Sequence, residues 1–311
     1  MKIGILEPLN FSKEALYMLS KIGKVDIFTG NNLDKFIEEK EILFIRLNFN
    51  LNKEFLKKAK NLKIICSPTT GNNHIDMQFL KKNNIKLIFL KGQKKFLKKI
   101  VATPEHTLGL IISLLRNYKN AFLSVTNKSW NRDVYIGDEI RGNTIGIIGL
   151  GRVGYILANY VTYLGGKVVW FDKNKVRFKK SWIQARNLTH LISSSKVICL
   201  CANFEFGQEP ILSYKYLKLM ENKYLINTSR GELIDENALI KLIKKDKFSG
   251  VALDVICNEN KVNNLKKWES IYIEGKNLII TPHIAGATFY SMHKTEVYIT
   301  NLLLKHIGKK N

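Results

Sequence analysis

Short apolar runs alternate with lysine-rich segments whose apolar positions recur every three or four residues through most of the chain. Lys2 to Leu6, Lys24 to Phe28, Ile42 to Leu47, Lys63 to Ser67 and Lys86 to Leu90 predict strands, with amphipathic helices over Lys13 to Lys21 and Lys53 to Lys60. This alternation describes a small α/β unit. The pattern changes at Thr103, where Pro104 to Arg116 predicts a helix with Thr103 as N-cap and Pro104 at its first position. That helix is too apolar to lie alone on a surface and must be largely buried. A polar stretch from Trp130 to Arg141 follows. Strand signals then return at Asn143 to Ile148, Lys167 to Asp172, Val197 to Leu200, Tyr224 to Asn227, Gly250 to Val255 and Leu278 to Thr281. Helical segments between most of them predict an open, mostly parallel sheet covered on both faces, and Ser291 to Ile307 predicts a last helix that packs back on the first unit.

Gly149-Leu-Gly-Arg-Val-Gly154 sits at one strand-to-helix junction, after an apolar β-branched run and before the helix-compatible segment Tyr155 to Leu164. Gly149 suits the tight turn, Gly151 lets backbone approach a pyrophosphate, and Gly154 lets the helix pack close to the strand. Arg152 and Val153 complete that turn. Asp172 ends the next strand about 20 residues on, where a carboxylate accepts hydrogen bonds from ribose hydroxyls and repels a 2′-phosphate. NAD is therefore the expected cofactor, with Lys173, Lys175 and Arg177 close enough to blunt its discrimination against NADP.

Arg230, Glu259 and His283 each follow a late strand, at the edge where such sheets bind ligands. An arginine there grips a carboxylate through paired hydrogen bonds, a histidine carries the proton that accompanies hydride transfer, and a glutamate on that histidine orients it. Keto-acid reduction fits the trio.

Four motifs in this order resemble the D-isomer-specific 2-hydroxyacid dehydrogenases, in a short, phosphoglycerate dehydrogenase-like form: the glycine turn, Ile226-Asn-Thr-Ser-Arg-Gly-Glu-Leu-Ile-Asp-Glu-Asn-Ala-Leu239, Gly250-Val-Ala-Leu-Asp-Val255 and Thr281-Pro-His-Ile-Ala-Gly286. The resemblance implies two Rossmann-like or flavodoxin-like parallel-sheet domains. The substrate domain is discontinuous, residues 1–100 plus 288–311, and the NAD-binding domain is 101–287. It also implies that Arg230 binds the substrate carboxylate and keto oxygen, that His283 is the acid/base tuned by Glu259, and that Asp254 holds the nicotinamide carboxamide, with Thr228 beside the cofactor. Gly71, Asn72 and Asn73 correspond to the loop whose backbone N–H groups receive the substrate carboxylate. Arg46 falls near the phosphate-binding arginine of phosphoglycerate-type members, so the substrate class, a small D-2-hydroxy or 2-keto acid, extends to phosphorylated three-carbon acids. A homodimer through the cofactor domain is expected. The chain departs from the family at Cys201-Ala-Asn203 and Phe204-Glu-Phe-Gly-Gln-Glu-Pro210, where a threonine-rich loop is usual, and at Asn258 to Asn264, where the usual proline is absent.

Composition adjusts this picture only at the margins. Across 311 residues, 45% hydrophobic, there is ample apolar surface for two cores. The net charge of +24 invites a nucleic-acid reading, but the lysine pairs are dispersed and no aromatic-interleaved arm accompanies them. No nucleic-acid or membrane partner is expected. Cys66, Cys199, Cys201 and Cys257 lie in or beside apolar runs without metal-site spacing, which predicts reduced thiols, no metal and a cytoplasmic protein. No regulatory domain of the kind that gives longer members their feedback is expected. The competing class is an NAD-sensing, corepressor-like binding protein without turnover, which the intact Arg230, Glu259 and His283 disfavour.

Overall fold

The computed structural model describes residues 1–259, 262–273 and 275–308. The chain divides into two compact units, Met1–Ile100 with Ala287–Asn311, and Val101–Gly286. In the first, β1 (Lys2–Ile5), α1 (Lys13–Ser20), β2 (Lys24–Ile27), α2 (Leu33–Glu38), β3 (Ile42–Phe44), α3 (Lys53–Lys58), β4 (Ile64–Ser67), α4 (Met77–Lys82), β5 (Lys86–Phe89) and α5 (Lys94–Leu97) follow one another. Ser12, Asn52 and Asp76 start α1, α3 and α4 by accepting the N–H three residues on, which satisfies one of the orphan donors of each first turn. The five strands are parallel in the order β2-β1-β3-β4-β5.

The second unit holds α6 (Ala102–Leu115), α7 (Tyr118–Thr126), β6 (Thr144–Ile148), α8 (Arg152–Tyr163), β7 (Lys167–Phe171), β8 (Ile183–Gln184), α9 (Leu188–Ser193), β9 (Val197–Leu200), α10 (Tyr214–Leu217), β10 (Lys223–Asn227), α11 (Glu236–Lys244), β11 (Phe248–Leu253), α12 (Val262–Ile273) and β12 (Leu278–Ile280). Its seven parallel strands run β12-β11-β10-β9-β6-β7-β8. The order reverses between β6 and β9, the switch point at which an open α/β sheet opens a crevice for ligands. One core, with Leu200, Leu225 and Leu253, covers one face of this sheet, and a second, with Ile147, Cys199, Ile226 and Ala252, covers the other. Successive residues of these strands point to opposite faces, and here both faces are buried.

The last helix, α13 (Phe289–Gly308), rejoins the first unit and lays Ile299 and Leu303 against Ile3, Ile5, Phe44 and Ile64. Two boundaries differ from expectation. α6 starts at Ala102 with Val101 rather than Thr103 as N-cap, so Pro104 is its third residue. The first turn tolerates it there, because that N–H would have no intrahelical acceptor. α8 starts at Arg152, which places Gly154 inside the helix rather than before it. Residues 260 and 261 of the expected loop after Asn258, and 309–311 of the expected first domain, lie outside the described residues.

Candidate active site

β6 delivers the chain into Gly149 at φ +92°, where a Cβ would stand 2.7 Å from the backbone of Ala202. Both the dihedral and the space exclude other residues. Gly151 caps α8 without any side chain, and a Cβ on it would meet nothing within 4 Å, so the helix mouth is open. A Cβ on Gly154 would collide with the Gly149 carbonyl, which fixes how closely α8 packs on β6. Asp172, just past β7, accepts the Leu150 N–H through Oδ2 and the Asn174 N–H through Oδ1, both at 2.9 Å. The carboxylate is thereby held against the glycine turn. Open backbone donors at a helix N-terminus beside a fixed carboxylate suit a pyrophosphate and a ribose, so these residues fit NAD. Thr228, after β10, pairs its hydroxyl with that of Thr107 on α6 at 2.8 Å.

The ends of β10, β11 and β12 assemble the chemistry. Asn227 shapes the first turn, accepting the Ser229 N–H and donating to the Arg230 carbonyl, both at 2.9 Å. The Arg230 guanidinium donates to the Ser229 carbonyl at 2.6 Å. Burial pulls its pKa down, against the opposing pull of the Glu259 and Glu232 carboxylates. Gly231 follows because a Cβ there would fall on the Ile256–Cys257 peptide.

Asp254 is 1% exposed, and its carboxylate accepts the Thr281 hydroxyl at 2.6 Å, the Ile284 N–H at 2.8 Å and the Ala285 N–H at 2.9 Å. Burial pushes this carboxyl's pKa up, but hydrogen bonds from His106, Thr281, Ala285 and Ile284 outweigh it and hold the group below its usual value. The Asp254 carbonyl also accepts the His283 N–H at 2.8 Å. His283 is thereby fixed at φ +54°, with Nδ1 2.6 Å from Glu259 Oε1.

Arg230, Asp254, Glu259 and His283 are thus gathered on one edge of the second unit's sheet. In the first unit, Arg46 donates through Nε and Nη2 to Glu296 Oε1 at 3.0 and 2.5 Å and through Nη1 to the Leu9 carbonyl at 2.8 Å. Gly71, Asn72 and Asn73 follow β4, and among the described residues nothing accepts their backbone N–H groups. Two contributors escaped the sequence reading. His106, on α6, sets Nε2 3.3 Å from Thr281 Oγ1 and 3.5 Å from Asp254 Oδ1. Glu236, 9% exposed, accepts the Cys257 N–H at 2.8 Å and braces the loop that carries Glu259. A histidine in the first turn of a helix entering an α/β sheet was the available signal for the former; for the latter there was none.

Comparison with known proteins identifies the family. The model of the D-isomer specific 2-hydroxyacid dehydrogenase NAD binding domain matches residues 108–285, and that of the same family's catalytic domain matches residues 3–94. The chain belongs to the D-isomer specific 2-hydroxyacid dehydrogenase family. Its second unit is the NAD-binding domain of that family. A D-3-phosphoglycerate dehydrogenase of Archaeoglobus fulgidus is 30% identical over 93% of this chain and 54% of its own length. The chain therefore spans about half of that relative. An erythronate-4-phosphate dehydrogenase of Wigglesworthia glossinidia brevipalpis is 31% identical over 100% of this chain and 74% of its own. Among solved structures, the D-lactate dehydrogenase of Aquifex aeolicus, complexed with NAD and lactic acid, superposes with a TM-score of 0.82 at 25% identity, covering 99% of this chain and 96% of that one.

Proposed function

We propose that this family member is an NAD-dependent oxidoreductase that interconverts a small D-2-hydroxy acid and its 2-keto acid. The observation that carries the proposal is the 2.6 Å contact between His283 and Glu259 at the strand ends of an NAD-binding sheet that also carries the half-buried Arg230. When bound, NADH supplies the hydride. With Glu259 accepting from Nδ1–H, the other ring nitrogen is left to give the proton to a carbonyl oxygen during reduction and to take it from a hydroxyl during oxidation. Arg230 has a guanidinium that the fold shields in part from water, where a carboxylate is held more strongly than at an open surface. Asp254, with the Thr281 hydroxyl and the Ile284 and Ala285 N–H groups on its carboxylate, keeps the turn of His283 in place.

In the first unit, the unpartnered N–H groups of Gly71, Asn72 and Asn73 suit a carboxylate. Arg46 enters this reading as a brace of its own unit, because Glu296 and the Leu9 carbonyl occupy all three of its nitrogens. Two relatives are named for phosphorylated acids, so phosphorylated 2-keto acids lead the substrate panel. We also propose a homodimer through the second unit, supported by exposed Phe122, Trp130, Val134 and Ile136 on one stretch of chain. A cytoplasmic location is supported by four free cysteines. Among the described residues, no helix is long and apolar enough to cross a membrane.

NADH oxidation across a panel of 2-keto acids tests the function. Turnover on at least one acid is expected, with His283→Ala slowing it by about 10²-fold or more while NADH binding persists. Wild-type protein that turns over none of the panel sinks the enzymatic reading, and full turnover by the variant removes His283 from the mechanism.

A further inference from the structure

The loop after β9 lies against the cofactor turn. In the sheet, β9 and β7 are the two neighbours of β6. Their carboxyl ends therefore flank the glycine turn on either side. The contact with one flank is backbone to backbone, since a Cβ on Gly149 would reach the Ala202 Cα and nitrogen. On the other flank Asp172 grips the Leu150 N–H. One side-chain bond joins the two flanks: Lys173 Nζ lies 3.1 Å from Glu205 Oε1. Glu205 is set by a closed turn, in which its N–H donates to Gln208 Oε1 at 2.9 Å, its carbonyl accepts the Gln208 N–H at 3.1 Å, and Gly207 takes φ +82°.

This geometry bears on which dinucleotide the ribose corner accepts. Asp172 alone repels a 2′-phosphate, yet the lysine beside it is the kind of cation that would welcome one. Among the described residues, Lys175 and Arg177 make no ion pair, so Lys173 is the nearby cation that the chain itself neutralises. We propose that Glu205 is a specificity-determining residue. By pairing with Lys173 across the glycine turn, it withholds that ammonium from a 2′-phosphate and sets a second carboxylate beside Asp172, so that the corner selects NAD. The proposal rests on the cofactor reading of the second unit and adds to it a residue from a different loop.

Both partners are about seven-tenths exposed, so the pair acts through a screened field and its effect is moderate. The test is a fluorescence titration of the whole 311-residue chain with NADH and NADPH at low ionic strength, which needs no substrate. For Glu205→Gln, the ratio of the NADPH to the NADH dissociation constant is expected to fall by roughly 3- to 10-fold, because Lys173 is released. For Lys173→Gln, which leaves Glu205 unpaired, the ratio is expected to rise, and for the double variant to lie between them. Raising the salt should shrink all these differences, which a loop merely deformed by substitution would not do. A ratio within twofold of wild type in Glu205→Gln at low salt overturns the proposal. So does a fall of equal size in the double variant, since Lys173 would then have no part in it. Wild-type protein that binds neither dinucleotide overturns the cofactor reading, and the proposal with it.

Discussion

His283 occupies the left-handed region at φ +54°, a conformation that costs a residue with a Cβ about 1 kcal/mol or more. Asp254 is what offsets this cost, since its carbonyl takes the His283 N–H and its carboxylate takes the next two. Replacing Asp254 with Asn puts an NH₂ against one of those N–H donors and leaves buried groups unpaired, at about 1–3 kcal/mol each. The pKa of the native carboxyl is lowered, so its contribution is complete above the unfolded value near 3.8 and fades as pH falls through the lower native value. Urea midpoints should therefore be lower for Asp254→Asn at pH 7, with the gap to wild type narrowing below about pH 4. Equal midpoints at pH 7 would mean that the turn holds itself. The places of Arg230, Glu259 and His283 in the segments beyond β10, β11 and β12 were legible in sequence because periodicity marks those strands. The Asp254 network was not, because its donors come from Ile284 and Ala285, some thirty residues on, and from His106 on α6.

Elements were read well where burial imposed a pattern. All five strands expected in the first unit and the six expected in the second appear with ends within three residues, most clearly where strands buried on both faces, such as β4 and β9, leave uninterrupted apolar runs. β8, two residues long and exposed, had no such run. α7 was missed as well: no residue in it is buried, and its apolar residues Phe122, Leu123 and Val125 are exposed. The turn between β10 and α11 shows a different kind of constraint. Gly231 lies where any Cβ would enter the Ile256–Cys257 peptide, so the Arg230 turn and the Glu259 loop are in direct backbone contact. Gly231→Ala should cost about 1–3 kcal/mol in urea unfolding and weaken keto-acid binding by displacing Arg230. A variant with wild-type stability and KM would show that this contact has slack.

At the scale of the whole molecule, the charge of +24 and the exposed apolar stretch pull in opposite directions. Like charge resists association, while Trp130 at 90% exposed and Ile136 at 81% favour it. The dimer proposal predicts that sedimentation equilibrium at physiological salt gives twice the chain mass, and that Phe122→Glu with Trp130→Glu shifts it to one. A wild-type monomer at every concentration and salt would contradict the proposal.

α13 carries a consequence for how the protein is made. It supplies Ile299 and Leu303 to a core whose other members lie mostly among the first hundred residues, and its Glu296 takes both the Arg46 guanidinium and the Ser12 N–H. The second unit is continuous and can close its cores as soon as its own sequence has left the ribosome. The first unit cannot. The segment carrying β1 to β5, made before the second unit, must therefore wait, with its core open along one side, until α13 emerges, and so becomes native after residues that follow it in the chain.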